Sequence, residues 1–418
     1  MIDAVTYTPR IKGALLELID VLYQLDDLQE AKKYIDIAEK EGIRPAQSAY
    51  LKGLTLVKEG NNPEAIDVFK SAKELDTSLT QMADYQIGMA YLKEKKYGDA
   101  KDVFKEIVVR DPNSDMADYA NRYIDALDRK AEAEKPFKFA VGAAFEYDDN
   151  VILKPSDAQS SSDVSNEDDT REVVTLRAEY NKKLAEKFGA KLQYNLYWAN
   201  QDHLKEYDIL SNSASITPYY NFEKASVSVP VGYNRTLVDD HDYLGAWTVN
   251  PMLNVLLGGP FMGQVFAKYQ NKDFLRSALN DDEDRDSNVW GGGAGLFWFF
   301  MENKGFLNAR YEFNNENAKG NNWKYNGNRF NATVLVPVVD KLKISAAADA
   351  YLQDFTKTHT IFNEKRHDNI YTASAMLSYE IIKDGEIQLK YTHITDDSNI
   401  AVYEYDRNIY SAGFEYRF

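Results

Sequence analysis

Five histidines and three acidic clusters are the residues of this sequence best suited to chemistry. The clusters lie at 148–149, 167–169 and 281–284. Carboxylates at this density could bind Ca²⁺ or Mg²⁺, but the glycine and the ligand spacing of an EF-hand loop are missing. No two histidines have the spacing of a metal-ligand pair, so we expect all these side chains in solvated loops and predict no metal and no cofactor. The histidines are His203, His241, His359, His367 and His393.

No other motif indicates catalysis. The sequence contains no Ser/His/Asp arrangement, phosphate-binding glycine loop or nucleophile elbow. Gly291, Gly292 and Gly293 lie inside a segment that otherwise resembles a strand, which is typical of a close-packed or kinked wall. The net charge of −17 opposes binding to phosphate backbones. The sequence therefore predicts neither an enzyme nor a nucleic-acid-binding protein.

Residues 11–127 carry an internal repeat. A glycine, an alanine and a phenylalanine recur 35 residues later in the same order. Small residues belong where two helices cross closely, and this period and pattern resemble the tetratricopeptide repeat, in about three copies. Such a stack offers a concave surface for a segment of a partner, although a spacer domain without a ligand would have the same pattern. The residues that carry the repeat are Gly53, Ala65, Phe69, Gly88, Ala100 and Phe104.

A charged segment ending at Pro136 separates this region from the rest of the chain. We expect a last helix near 115–133. The predicted domains are helical repeats over 1–127, a linker over 128–136 and a second domain over 137–418.

The second domain alternates apolar and polar residues with the period of a β-strand. In 190–198, for example, Leu192, Tyr194 and Leu196 share one face. No stretch approaches the 18 consecutive apolar residues of a membrane-spanning helix. The chain is nevertheless rich in aromatic residues, with 29 Tyr and 20 Phe, as the two interfacial girdles of a membrane barrel require. The pattern predicts an antiparallel transmembrane β-barrel.

Three features favour this barrel over a soluble β-sandwich. The segments are long enough to cross a bilayer at a tilt, their polar faces mix Arg, Lys and Glu, and short connections alternate with long ones such as one near 236–246. The alternation predicts 14 strands with both barrel ends on the side of the short turns. That side is the periplasm in such barrels, so we expect the repeats there.

The polar positions of these strands are candidates for the lining of the barrel lumen. Their mixed signs indicate paired charges, which would either brace the wall or tune a pore. The candidates are Arg177, Glu179, Lys191, Arg310, Glu312, Lys343, Lys390, Glu415 and Arg417.

Two stretches resemble a known family. The first is 145–151, Phe-Glu-Tyr-Asp-Asp-Asn-Val; the second is 398–408, followed by a last strand with Phe414, Tyr416 and Phe418. The terminal aromatics resemble the signal read by the barrel-assembly machinery. Together these features resemble the surface lipoprotein assembly modifier family, although the repeat domain here is short. The resemblance implies periplasmic repeats, a 14-stranded outer-membrane barrel and a role in moving lipoproteins to the cell surface.

We therefore expect an outer-membrane export protein whose repeats recruit a periplasmic protein or lipoprotein client. Two alternatives stay open at this point. One is an exopolysaccharide export porin, for which sugar-stacking candidates are Tyr197, Trp198, Trp247 and Trp323. The other is a passive porin or a structural anchor of a periplasmic complex. Because 1–4, Met-Ile-Asp-Ala, do not resemble an export signal, we expect the sequence to be the mature chain with an added Met1.

Overall fold

The computed structural model describes residues 12–156 and 167–418. The chain divides into two compact units, Met1–Lys135 and Pro136–Phe418. The predicted repeat start at residue 11 and part of the first long connection lie outside the described residues. Among the residues described, no helix is both long and apolar enough to cross a membrane.

The first unit is a series of helices whose ends follow local capping rules. The Asp27 carboxylate accepts the backbone N–H of Glu30, and the Ser114 hydroxyl accepts that of Ala117. Gly60 ends a helix in the left-handed conformation that glycine adopts without strain. The helices are α1 (Lys12–Gln24), α2 (Leu28–Lys40), α3 (Pro45–Glu59), α4 (Asn62–Leu75), α5 (Thr80–Lys93), α6 (Tyr97–Arg110) and α7 (Asp115–Glu134).

Helix pairs α3/α4 and α5/α6 are built alike. All six repeat residues are buried, and the ring of Phe69 or Phe104 fills the space left by the glycine of the preceding helix. A Cβ on Gly53 would lie 2.5 Å from the Phe69 ring, and one on Gly88 would lie 2.6 Å from the Phe104 ring. The two helices of each pair can therefore pack this closely only because residues 53 and 88 are glycines.

Helix α7 extends through most of the predicted linker of 128–136, as far as Glu134. Its charges do not break the helix because they pair along it and across it. Lys130 pairs with Glu134 one turn later at 3.0 Å, and Lys101 of α6 binds Asp128. The helix expected near 115–133 is thus the one observed, and only Lys135 and Pro136 join the two units.

The second unit is a closed antiparallel sheet in which β1 pairs with β16. Its segments are β1 (Phe137–Asp148), β2 (Asp169–Lys183), β3 (Phe188–Gln201), β4 (Ile209–Asn221), β5 (Ala225–Ser228), β6 (Val231–Val238), β7 (His241–Val249), β8 (Met252–Gly258), β9 (Phe261–Phe274), β10 (Ser287–Phe300), β11 (Gly305–Ala318), β12 (Tyr325–Val339), β13 (Leu342–Thr358), β14 (Lys365–Ile382), β15 (Gly385–Ser398) and β16 (Tyr405–Arg417).

These segments make 14 barrel strands, which confirms the predicted fold. The fifth strand is interrupted between β5 and β6, and the sixth between β7 and β8. The long connection expected near 236–246 is wrong. Asp239 and Asp240 both have positive φ and form a two-residue hairpin turn, a geometry that aspartate tolerates.

One face of the sheet is apolar and exposed, and tyrosines on it share a hydrogen-bonding arrangement. The hydroxyl of each donates to an asparagine on a neighbouring strand, which satisfies its polar tip while the ring stays on the apolar face. This is the construction expected of an interfacial girdle. The pairs are Tyr194–Asn212, Tyr269–Asn288, Tyr311–Asn328 and Tyr391–Asn408.

The glycine contacts generate a stability prediction for the helical unit. We expect Gly88→Ala to lower its free energy of unfolding by about 1–3 kcal/mol, because the new methyl group overpacks the space filled by Phe104. The measurement is the thermal midpoint of the helical circular dichroism signal of the full chain. Gly98→Ala in α6 is the matched control, because its Cβ would meet nothing within 4 Å. An equal loss in both variants would contradict the packing argument.

Candidate functional site

The nine charged residues predicted from the sequence share one face of the closed sheet. Directly paired residues of an antiparallel sheet point to the same side. Arg177 pairs with Ala140, and Ala140 pairs with Arg417 on the other side of β1. Following the register through β15, β14, β13 and β12 returns the same face to Arg310 in β11. We call this side the polar face and the opposite side the apolar face.

Most of the nine charges are neutralised by a neighbour on the polar face. Glu312 pairs with Lys268 at 3.2 Å and with Arg310 at 3.2 Å. Lys191 lies 3.7 Å from Glu179. Arg177 and Lys390 differ from the others, because both are exposed and neither forms an ion pair within 12–156 and 167–418.

At the short-turn end of β13, β15 and β16 a compact network joins four charges. Glu386 binds Lys343 at 2.6 Å and Arg417 at 3.3 Å, and Arg417 also binds Glu415 at 2.6 Å. Lys343 lies two strands away from Glu386, so the network spans β14 between them. These contacts brace this part of the wall.

A different part of the polar face, from β4 to β8, carries no charged side chain and is joined by hydrogen bonds between neutral groups. Asn195 donates to Ser213 at 3.2 Å, and Asn234 donates to Ser211 at 2.9 Å. Amide and hydroxyl groups continue along β7, β8 and β9. The polar face therefore has an ionic sector and an uncharged sector.

The two stretches that carry the family resemblance meet where the barrel closes. Asp148 of β1 is fully buried and accepts two hydrogen bonds from Arg407 of β16, with Nε–Oδ1 at 2.9 Å and Nη2–Oδ2 at 2.5 Å. Arg171 of β2 approaches the same carboxylate at 3.3 Å and binds Glu146 at 2.6 Å. Next to this clamp, Asn408 donates to Asp149 through its backbone and its side chain.

The acidic clusters bind protein groups. Asp169 accepts the backbone N–H groups of His203 and Leu204 at 2.8 Å each, and its carboxylate holds the His203 ring at 3.0 Å. That hydrogen bond raises the pKa of His203. Asp202 completes the only trio of potential metal ligands found among the described residues, but the oxygens of Asp169 are already satisfied. This trio anchors a loop.

The cluster at 281–284 joins an aromatic and cationic assembly that we call the loop cluster. Glu283 accepts hydrogen bonds from the Trp323 indole at 2.9 Å and from Asn322 at 2.6 Å. The Arg366 guanidinium lies 3.3 Å from the ring centre of Tyr403 and 5.3 Å from that of Trp323. Four connections at the long-loop end of the barrel are therefore tied to one another. The sequence held no signal for this cluster, because its members are far apart in the chain.

The remaining histidines are scattered. His359 is buried in the loop cluster, where burial lowers its pKa, and its Nε2 lies 3.0 Å from the Tyr403 hydroxyl. His367 contacts Asp354 at 2.8 Å, and His241 is exposed. His393 lies within β15 on the apolar face and contacts Asn408.

The four aromatic residues considered for sugar stacking do not converge. The register places Tyr197 on the polar face and Trp198 and Trp247 on the apolar face. Trp323 belongs to the loop cluster. No continuous stacking path joins these four side chains.

The terminal aromatics complete the barrel. Phe414 and Tyr416 pair with Ala143 and Val141 of β1 on the apolar face. Phe418 exchanges backbone hydrogen bonds with Phe139 at 2.8 and 2.9 Å, and their rings are 5.4 Å apart. The backbone pairing between β16 and β1 therefore extends as far as Phe418.

Comparisons with known proteins agree with this architecture. A family model described as surface lipoprotein assembly modifier matches residues 137–418, and a tetratricopeptide repeat model matches residues 82–114. Surface lipoprotein assembly modifiers export lipoproteins to the cell surface. No curated protein matches the chain.

Several solved structures are similar in fold at low sequence identity. The outer membrane channel DcaP of Acinetobacter baumannii is 11% identical, covers 68% of this chain and 96% of its own, and has a TM-score of 0.42. The anion-selective porin from Comamonas acidovorans is 8% identical, with 68% and 98% coverage and a TM-score of 0.39. The translocator chaperone SycD of Yersinia enterocolitica is 14% identical, with 30% and 88% coverage and a TM-score of 0.27.

The clamp at the barrel closure generates a second prediction. Asp148→Asn removes the charge that neutralises two neighbouring guanidinium groups, so we expect the barrel to lose about 3 kcal/mol of stability. The measurement is the urea midpoint of barrel unfolding, read from the mobility difference of folded and unfolded protein on detergent gels. Glu179→Gln is the control, because its part-exposed pair with Lys191 should contribute less than about 1 kcal/mol. Equal midpoints for both variants would refute the role of the clamp.

Proposed function

The chain belongs to the surface lipoprotein assembly modifier family, and from that membership we propose that the repeats hold a periplasmic lipoprotein client while the barrel assists its passage to the cell surface. The barrel lies in the outer membrane and the repeats in the periplasm. The observation that carries the proposal is the match of the family model to the whole barrel, whose first strand follows the repeats directly in the chain. The proposal assigns the chain no catalytic step.

The first helices of the repeats offer the surface that we assign to the client. Helix α1 contacts α3, α3 contacts α5, and α5 contacts α7, as in stacks whose first helices line the concave side. Tyr50, Tyr85 and Tyr119 occupy corresponding positions of α3, α5 and α7, spaced by 35 and 34 residues. The ring of Tyr85 lies 6.3 Å from that of Tyr123 on the next first helix. The same period that indicated the repeat would have found this tyrosine column.

Aromatic side chains with a polar tip suit a binding surface that is half apolar and half wet. Tyr119 is 50% exposed, so it supports little of the domain's own packing. Because the rings of Tyr50 and Tyr85 also pack against Phe69 and Phe104, we infer that the column contacts an extended segment of the client chiefly through Tyr119.

For the barrel, we infer that the polar face lines the lumen, because the apolar face must contact lipid in a membrane barrel. In the ionic sector the charges bind one another and stiffen the wall. The uncharged sector presents amides and hydroxyls that can exchange hydrogen bonds with a passing polypeptide. Arg177 and Lys390 are the cations left to act on acidic groups of the client.

Two further partners are part of the proposal. The apolar face and its tyrosine–asparagine pairs would contact outer-membrane lipid. Phe414, Tyr416 and Phe418 on the last strand would be read by the barrel-assembly machinery before β16 pairs with β1.

Deletion of the gene in its native bacterium tests the export function. We expect lipoproteins that are accessible to protease on intact cells to become protected, while their total amounts and the surface polysaccharide stay unchanged. The measurement is quantitative mass spectrometry of the surface lipoproteins with and without a plasmid copy. Unchanged surface lipoproteins together with lost polysaccharide would instead establish the exopolysaccharide alternative. A steady open conductance of the purified chain, with no effect of deletion on either surface, would indicate a passive porin.

A substitution in the tyrosine column tests the role of the repeats. We expect Tyr119→Ala to reduce surface lipoprotein in the complemented strain without changing the amount of folded barrel, because the lost ring contacts the client and not the core. Val109→Ala is the matched control, since Val109 is 81% exposed and lies on the second helix of a pair. Equal export by both variants and the parent would exclude the column as the client surface.

A further inference from the structure

Three prolines form a line across three neighbouring strands of the barrel. Pro218 lies in β4, Pro230 separates β5 from β6, and Pro251 separates β7 from β8. Val229 donates its N–H to the Pro218 carbonyl, Asn250 to that of Pro230, and Ala267 to that of Pro251, each at 3.0 Å. These contacts run in sequence from β4 to β9 through both interrupted strands. The interruptions are therefore at one level of the wall.

Each proline removes one ladder hydrogen bond from a different strand interface. In an antiparallel pair, a residue whose carbonyl accepts a bond from the neighbouring strand normally returns one from its own N–H. Proline has no N–H, so the return bond cannot form. The Oδ1 atom of Asn250 is buried at this line, and no described group hydrogen-bonds to it. Three successive interfaces are thus weakened side by side.

Between this line and the short turns, the wall is thinly held. Strand β5 pairs with β8 from Ala225–Val255 to Ser228–Met252, and one further backbone bond joins Leu256 N–H to the Lys224 carbonyl at 2.8 Å. Neither β5 nor β8 contains a charged residue. The corresponding end of β13, β15 and β16 is braced by the ion-pair network of Lys343, Glu386 and Arg417. Strands β5 and β8 have no such network.

The connections permit β5 and β8 to separate. A short turn at 222–224 joins β4 to β5, and another at 259–260 joins β8 to β9. The turn that joins the fifth and sixth strands, Asp239–Asp240, lies at the opposite end. Strand β5 can therefore move with β4, and β8 with β9, without stretching the chain. The prolines mark where this movement would stop.

We propose that β5 and β8 part to form a slit, open to the inner leaflet, that passes the acyl chains of a lipoprotein client. The proposal rests on the export function proposed above. Its chemistry follows from the two sides of the slit. On the apolar face the edges carry Val227 and Leu253, which suit an acyl chain. On the polar face they carry Ser226 and Asn254, which suit the polypeptide attached to it.

A disulfide across the slit tests the proposal in cells, since the chain has no cysteine of its own. Val227 and Leu253 are directly opposed in a non-hydrogen-bonded pair, in which the Cα atoms are about 4.5 Å apart, within the range that a disulfide can span. In the deletion strain carrying Val227→Cys/Leu253→Cys, we expect oxidation to abolish the appearance of newly made lipoprotein on the surface, and reduction to restore it. Ile344→Cys/Leu377→Cys is the matched control, an opposed apolar pair of β13 and β14 that should export equally when oxidised. Normal export by the oxidised Val227/Leu253 variant, with the disulfide verified by mass spectrometry, would overturn the slit.

Hydrogen exchange separates the slit from the export function. In lipid nanodiscs we expect the amides of 225–228 and 252–258 to exchange faster than those of 342–354 and 367–379. Pro230→Val/Pro251→Val restores two N–H donors, so exchange in the first two segments should slow. Pro337→Val in β12 should leave it unchanged. Equal exchange in all four segments overturns the slit whatever the chain exports, whereas fast exchange in a chain that restores no surface lipoprotein refutes the export function alone.

Discussion

A chain in lipid has no water to hydrogen-bond its backbone, and this constraint governs the second unit. An open sheet would leave two edges unpaired, so β16 must return to β1. The closure is made by backbone bonds down to Phe418 and by the Asp148 clamp, in which three strands contribute charged side chains. With an even number of strands both ends then lie at the short turns, which fixes where the helical repeats are attached. Architecture and placement thus have one physical origin.

The same closure explains why the polar face is uneven. A charge that loses contact with water is costly without a counter-charge, and most of the charges on the polar face bind each other within the ionic sector. The carboxylate of Glu316 is an example of such a fully paired group, since it accepts hydrogen bonds from Lys272, Ser287 and Tyr325. The ionic sector therefore leaves few hydrogen-bonding groups without a partner in the wall itself. The uncharged sector, with small hydroxyls from β4 and amides from β6 and β8, keeps groups that can exchange partners.

Sequence periodicity predicted what depends on local geometry. Alternation placed Arg310, Glu312 and Lys343 on the same face because side-chain direction in a strand is a matter of parity. The 35-residue repeat likewise found Gly88 and Phe104. The predicted linker of 128–136 overlaps the end of helix α7, because Lys130 and Glu134 have the spacing at which an ion pair supports a helix. The loop cluster could not be found, because Glu283, Trp323 and Arg366 are brought together by the closed barrel.

The aligned prolines differ from the rest of the wall, because each of them leaves one backbone hydrogen bond unformed. A missing ladder bond costs about 1–3 kcal/mol when a buried group is left without a partner, and three adjacent interfaces each lack one. The elements that would compensate are elsewhere, because the network around Glu386 and the Asp148 clamp both lie in other strands. A closed barrel can carry such a weakness only if the remaining wall holds its shape. The distribution of ion pairs therefore does more than stabilise the barrel, because it confines the weakness to one place and so determines which part of the wall can open.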